Sequence, residues 1–137
     1  MKRTKRFVFD TNVIVSAFLF PDSSVAKAFE KGLKSGTILL SEETLEELQK
    51  VLLRDKFDKY LPKSIRQAFV QKFEILAAMI EITETITACS DPKDDKFLSL
   101  AVSANAECIV TGDEDLRTLH PFKNISIITP TMFLKNF

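Results

Sequence analysis

The chain predicts an α/β domain, a parallel sheet layered between helices. Short apolar runs that read as strands alternate with longer segments of helical period, and such alternation builds a parallel sheet with helices on both faces. The helical segments also begin on residues that favour a helix start: Ser23 or Ser24, Ser41, Pro62 and Thr129. At 137 residues the chain is expected to form one domain, spanning 1–137.

Arg6–Phe9 reads as a short buried strand. Ser23 or Ser24 caps a helix expected to run through Lys34 and to end at Gly36. Thr37–Leu40 is a second strand, after which Ser41 caps a helix with Leu45, Leu48 and Leu52 on its apolar face. A short helical piece over 55–60 follows. Pro62 then opens a long helix at its first turn, with Ile65, Phe69, Phe73, Leu76 and Ile80 at helical spacing. Residues 81–83 are read as a brief third strand and 94–105 as a helix with Phe97, Leu98, Ala101 and Val102 inward. Residues 108–111 and 125–128 are strands four and five, and Thr129 with Pro130 starts a last short helix.

Composition narrows the function classes. Hydrophobic residues make up 45% and charged residues 28%, a soluble balance. No apolar run approaches the roughly 18 residues of a membrane span, and the basic start leads into a strand rather than a signal-peptide core. A cytoplasmic protein without a membrane partner is the expectation. Cys89 and Cys108 lack metal-site spacing. The formal net charge is zero, which argues against a protein that coats long nucleic acid through its phosphates. With only three glycines there is no phosphate-cradling loop.

Acids recur in four clusters, and two follow strands: Asp10 after Phe7-Val8-Phe9, and Asp113 and Asp115 after Cys108-Ile109-Val110-Thr111-Gly112. Carboxylates at the carboxyl ends of neighbouring parallel strands converge on one crevice, and oxygen ligands suit Mg²⁺ or Mn²⁺. Asp10 is read as a metal-holding acid, against the alternative of a turn or capping aspartate. On the third helix Glu46 and Glu47 flank the buried stripe, and either can lean towards a crevice. Glu42 and Glu43 sit where acids favour the helix dipole. Of Asp91, Asp94 and Asp95, Asp95 borders the buried face and is taken as the ligand, with Asp94 or Asp91 as the cap. One of Asp113 and Asp115 is expected to hold metal while the other caps the next turn. Thr111 can offer a hydroxyl to water or phosphate, or be simply a β-branched strand residue. Lys93, Lys96 and the lone His120 are weaker candidates, better read as solvated or loop residues.

Taken together, Phe9-Asp10-Thr11-Asn12-Val13, Ser41-Glu42-Glu43-Thr44-Leu45-Glu46-Glu47-Leu48, Asp91-Pro92-Lys93-Asp94-Asp95-Lys96-Phe97-Leu98 and Val110-Thr111-Gly112-Asp113-Glu114-Asp115-Leu116 resemble the PIN domain family. More narrowly they resemble its toxin–antitoxin branch, the VapC-like endoribonucleases. The resemblance implies a three-layer α/β/α fold with a five-stranded parallel sheet in order 3-2-1-4-5. It implies a ribonuclease dependent on Mg²⁺ or Mn²⁺, with Asp10, Glu47, Asp95 and Asp113 as the catalytic, metal-holding acids. Glu47 is chosen there because it immediately precedes Leu48. Asp115 matches a less strict extra acid, and Asn12 and Thr111 match supporting polar positions. RNA as substrate, an antitoxin protein and a second copy of the chain are the implied partners.

Two other classes compete. An aspartyl-phosphate phosphatase needs a second Asp where Asn12 stands, and a receiver needs an acidic pair near strand one and a late lysine; neither pattern fits. A non-catalytic binding module, docking through 57–73 and 132–137, is compatible with the fold and remains the alternative to the enzyme.

Overall fold

The structure is a computed structural model that describes residues 4–137. Its five strands are β1 (Arg6–Phe9), β2 (Thr37–Leu40), β3 (Ala78–Met79), β4 (Cys108–Val110) and β5 (Ser126–Ile128). They form one parallel sheet in order β3-β2-β1-β4-β5. The helices are α1 (Thr11–Leu19), α2 (Ser24–Ser35), α3 (Glu42–Leu52), α4 (Lys63–Leu76), α5 (Asp95–Ala104), α6 (Glu114–Arg117) and α7 (Pro130–Asn136). Fold class and strand order are those expected.

Strand alternation divides the core between the two faces of the sheet. Phe7, Phe9, Ile38, Leu40, Cys108, Val110 and Ile128 pack into one cluster with residues of α1, α2, α3, α4 and α7. Val8, Leu39, Ile109 and Ile127 point the other way, onto α5. The phenylalanines concentrate on the first face, where Phe7 and Phe9 make edge contacts with Phe133 at 5.0 and 5.4 Å between centroids. Gly36 joins α2 to β2 where a Cβ would lie 2.6 Å from the Lys5 carbonyl oxygen, so the close crossing of the chain requires glycine.

Three elements differ from the sequence reading. Helix α1 was not expected, because Val13, Ile14, Val15, Ala17 and Leu19 are all buried and a helix enclosed on most sides shows no apolar stripe. Strand β3 lies at Ala78–Met79 rather than at 81–83. The cause is that α4 stops at Leu76, and the extended chain immediately meets the free edge of β2, pairing Ala78 with Leu39 and Met79 with Leu40. The buried side of α4 is also rotated. Arg66, Val70 and Phe73 face inward, whereas Ile65 and Leu76 are about half exposed, at 48% and 55%.

Arg66 explains the rotation. Its side chain is fully buried, and its guanidinium donates to the carbonyls of Leu52, Arg54 and Leu61 at 2.8, 3.0 and 3.0 Å and to the Asp58 carboxylate. It thereby satisfies carbonyls released at the end of α3 and in the turn that follows. A second set of bonds fixes the irregular segment between β3 and α5. Asp95, Ser99 and Ser103, spaced four apart on one face of α5, accept from its backbone: Asp95 from Ala88 and Cys89, Ser99 from Ile86, and Ser103 from Thr83 and Glu84, all at 2.8–3.1 Å.

Replacing Arg66 with Met keeps much of the buried volume but removes every donor. Urea unfolding should show a loss on the order of 3 kcal/mol, the cost of several buried carbonyls left unpaired.

Candidate functional site

β1 has β2 on one side and β4 on the other, so strand order reverses at its carboxyl end, where open α/β sheets bind ligands. A cavity of about 530 Å³ opens there, lined by Asp10, Asn12, Glu47, Asp94 and Asp113 among others.

Asp10 follows the last residue of β1 and is buried. The capping reading holds, and the cap leaves the side chain in the crevice lining. One carboxylate oxygen, Oδ1, caps α1 by accepting from the Val13 amide at 2.8 Å, while the other, Oδ2, accepts from the Thr111 hydroxyl. The Thr111 hydroxyl in turn accepts from the Asp113 amide at 3.0 Å. A hydroxyl has one proton, so accepting from Asp113 leaves that proton for Asp10. Thr111 therefore joins the ends of β1 and β4 through side chains, beside the backbone bond from the Asp10 amide to the Val110 carbonyl at 3.0 Å.

Glu47 is the acid of α3 that reaches the crevice; Glu46 does not line it. Its Oε2 accepts from the Thr11 hydroxyl at 2.6 Å, and its Oε1 lies 3.5 Å from the ammonium of Lys96, a side chain only 12% exposed. The position of α3 follows from a capping box, in which Ser41 and Thr44 satisfy each other's amides at the helix start.

At the start of α5 the two adjacent acids are placed differently from the expectation. Asp95, expected as the ligand, is absent from the crevice lining, because both its amide partners lie in the segment before α5. Asp94, one of the two residues expected as the cap, lines the crevice and makes no side-chain cap bond, which leaves the cap to Asp91. The reason is a 3-10 turn, Pro92–Asp94, that precedes α5. It turns the chain about one residue earlier than a straight helix would, presenting Asp94 to the cavity and Asp95 to the loop. Asp91 caps this turn through the Lys93 amide at 3.0 Å.

Asp113 lines the crevice and also caps α6, accepting from the Asp115 amide at 2.9 Å. Asp115 is exposed, its carboxylate outside the lining. The preceding turn does not depend on a left-handed glycine, since no glycine here has positive φ. Asn12 lines the cavity mouth. His120 has a structural part, its Nδ1 accepting from the Ile127 amide at 2.8 Å. Sequence reading had no signal for Thr11, whose hydroxyl gains meaning only once α1 carries it against α3.

Electrostatics set the crevice apart. Burial first, then the negative charges of Asp113 and Glu47, push Asp10 up to about 6, against the pull of its Thr111 and Val13 bonds. Asp94 is pushed up to about 7 by burial, by a hydrogen bond with the Asp113 carboxyl, and by the charges of Asp113, Asp91 and Asp10. Both causes beyond burial are the closeness of other carboxyl groups, which disfavours a second negative charge there. Asp95 is the contrast: the amides of Cys89 and Ala88 hold its pKa below the usual carboxylate value.

Residues 6–115 match the PIN domain family. The chain belongs to that family. This PIN domain is 28% identical over 145 aligned positions to the uncharacterized protein MJ1680 of Methanocaldococcus jannaschii, covering 96% of this chain and 91% of the relative. Its fold is shared with VapBC2 from Rickettsia felis, solved bound to a DNA fragment from their promoter, at TM-score 0.60 and 20% identity over 89% of this chain and 96% of that one. FitAcB from Neisseria gonorrhoeae aligns at TM-score 0.57 and 19% identity over 91% and 98%. PAE2754 from Pyrobaculum aerophilum aligns at TM-score 0.60 and 15% identity over 96% and 88%.

The donor set of the PIN domain crevice suits a hard divalent cation: all its candidate ligands are carboxylate oxygens, and two of them have raised pKa values. Among the described residues no three such side chains stand already assembled around one point, so binding an ion would draw the carboxylates together.

A stability profile follows from the two raised acids. Folded Asp10 and Asp94 hold protons up to about 6 and about 7, whereas an unfolded Asp releases its proton near 3.9. Between those values the folded state binds more protons. Stability is therefore fullest below pH 4 as far as these groups act, and declines as pH rises through 6 and 7. For Asp10 alone the decline is on the order of 3 kcal/mol. Melting curves in chelator should show Asp10→Asn more stable than the parent at pH 8 and no such gain at pH 4.

Proposed function

We propose that this PIN domain is a metal-dependent endoribonuclease that hydrolyses RNA phosphodiester bonds, and that it is the toxin of a toxin–antitoxin pair. The observation that carries the reading is the crevice itself. Asp10, Asp94 and Asp113 converge at the ends of the central strands, and none of the three is ion-paired among the described residues. Asp10 is buried, Asp94 is half-buried and Asp113 is exposed at the rim, and a buried carboxylate crowded by two others is costly unless a cation joins them.

Asp10, Asp94 and Asp113 would hold Mg²⁺ or Mn²⁺, with Glu47 close to it. The metal would supply positive charge for the carboxylates and the phosphodiester, and would lower the pKa of an attacking water. The chain's own groups do the rest. Thr111 holds the Asp10 carboxylate in one orientation. Glu47, held by Thr11 and Lys96, would orient the attacking water and take its proton. Asn12, at the mouth, can hydrogen-bond the substrate. The water oxygen would bond to phosphorus as the bond from phosphorus to the 3′ oxygen breaks, and the departing oxygen would take a proton from solvent, leaving a 5′-phosphate and a 3′-hydroxyl.

The choice of RNA, and the toxin role, rest on the likeness of the four acidic motifs to toxin-branch PIN domains. The shared fold with VapBC and FitAB structures supports an antitoxin protein as partner. Exposed apolar side chains on and before α4, Tyr60, Ile65, Ile75 and Leu76, favour docking of such a partner or a second copy. Docking is compatible with catalysis, since these residues lie outside the crevice lining.

Single-stranded RNA incubated with Mg²⁺, with Mn²⁺ and with EDTA tests the reading. Cleavage should need metal. Outer-shell partners of a metal already matter roughly 10–100-fold, so Asp10→Asn and Asp94→Asn should each lose activity by roughly 100-fold or more. Asp95→Asn should keep its activity while melting roughly 2–4 °C lower. Cleavage that survives EDTA or Asp10→Asn would sink the proposal; loss with Asp95→Asn and retention with Asp94→Asn would reverse the two aspartates.

A further inference from the structure

A second cavity, of about 390 Å³, opens beside the crevice between the end of α3 and the start of α5. Its character is opposite. Lys50 and Arg54 line it from α3 and the turn after it, Lys93 from the 3-10 turn before α5 and Lys96 from the first turn of α5. Glu47 lines both cavities, so the cationic groove and the acidic crevice share a wall. The remaining acids of the groove are Glu43 and Glu46, giving four cations against three carboxylates, or three against two once the Lys96–Glu47 pair is set aside. Lys96 is paired with Glu47, but Lys50, Arg54 and Lys93 are exposed and in no ion pair among the described residues.

We propose that this groove binds the sugar–phosphate backbone of a single-stranded nucleic acid on one side of the bond that is cut. The inference rests on the nuclease reading above and says where the strand runs. A chain of zero net charge has no general attraction for a polyanion, so affinity for phosphates must come from a local concentration of cations. Here such a concentration adjoins the carboxylate crevice. Unpaired Lys and Arg side chains facing a cavity suit phosphate oxygens, to which they donate charge-assisted hydrogen bonds. The phosphodiester chemistry is common to RNA and DNA, and the groove alone does not distinguish them.

The test is direct binding, measured in EDTA with Asp10→Asn as the parent protein so that cleavage plays no part. Fluorescence anisotropy of a labelled single-stranded RNA, and of DNA of the same sequence, is followed against salt. The variant Lys50→Gln/Arg54→Gln/Lys93→Gln removes three exposed charges from the groove. Lys27→Gln/Lys34→Gln/Lys59→Gln removes three exposed charges elsewhere and leaves the net charge equal. The groove variant should bind at least about tenfold more weakly, with a salt slope shallower by about 0.7 for each lost contact. The control variant should bind like the parent. Weakening for RNA only, or for both strands, decides which nucleic acid the groove takes.

Equal losses in the two variants, unchanged binding in the groove variant, or no binding by the parent would each overturn the groove. Cleavage of RNA by the wild-type chain together with unchanged binding would refute the groove alone. Groove-dependent binding with no cleavage under any metal condition would refute the nuclease reading alone.

Discussion

The structure turns on one buried carboxylate. Asp10 sits at the carboxyl end of the central strand, with one oxygen closing the first turn of α1 and the other held by Thr111 at the end of β4. That single side chain sets the direction in which α1 leaves the sheet. The placement of α1 then brings Thr11 against Glu47, and so seats α3 beside the crevice. A carboxylate with both oxygens engaged cannot swing, which gives any ligand a fixed reference point. Its cost is electrostatic, since burial and neighbouring acids oppose its charge.

Charge is segregated rather than balanced at this end of the molecule. Zero net charge conceals an acidic crevice and a cationic groove that meet at Glu47. Lys96 marks the boundary: it is mostly buried, and it pairs with the one crevice acid that also belongs to the groove. Opposite potentials so close together would be screened from each other in water at distances beyond about 10 Å. Across a shared wall they act on the same bound chain.

Much of this was legible in the residues. Alternating signals gave the layers, and Ser41 and Thr129 marked helix starts that the structure retains. Asp10, Glu47 and Asp113 line the crevice as expected. What escaped was of two physical kinds. Helix α1 lacks a polar face, and without a polar face there is no period to read. The presence of Asp94 rather than Asp95 in the crevice lining depended on a three-residue 3-10 turn, and one residue of rotation decides which of two adjacent acids faces a cavity. Arg66 was invisible for a related reason. A basic residue inside an apolar pattern reads as a surface position until the carbonyls it serves are brought to it by the fold.

The ladder of Asp95, Ser99 and Ser103 along α5 has a consequence for how this protein can change. These three side chains hold the preceding segment chiefly by its backbone, while Ile82, Ile86 and Cys89 add packing against the core. Sequence constraint is thereby moved off the loop and onto the helix. The exposed positions Glu81, Thr83, Thr85, Thr87, Ala88 and Ser90 can vary in size and charge without loosening the segment, while the three acceptors and the packed Ile82, Ile86 and Cys89 must stay. A lineage under pressure to recognise a new partner would find in that segment a surface it can rewrite at little structural risk.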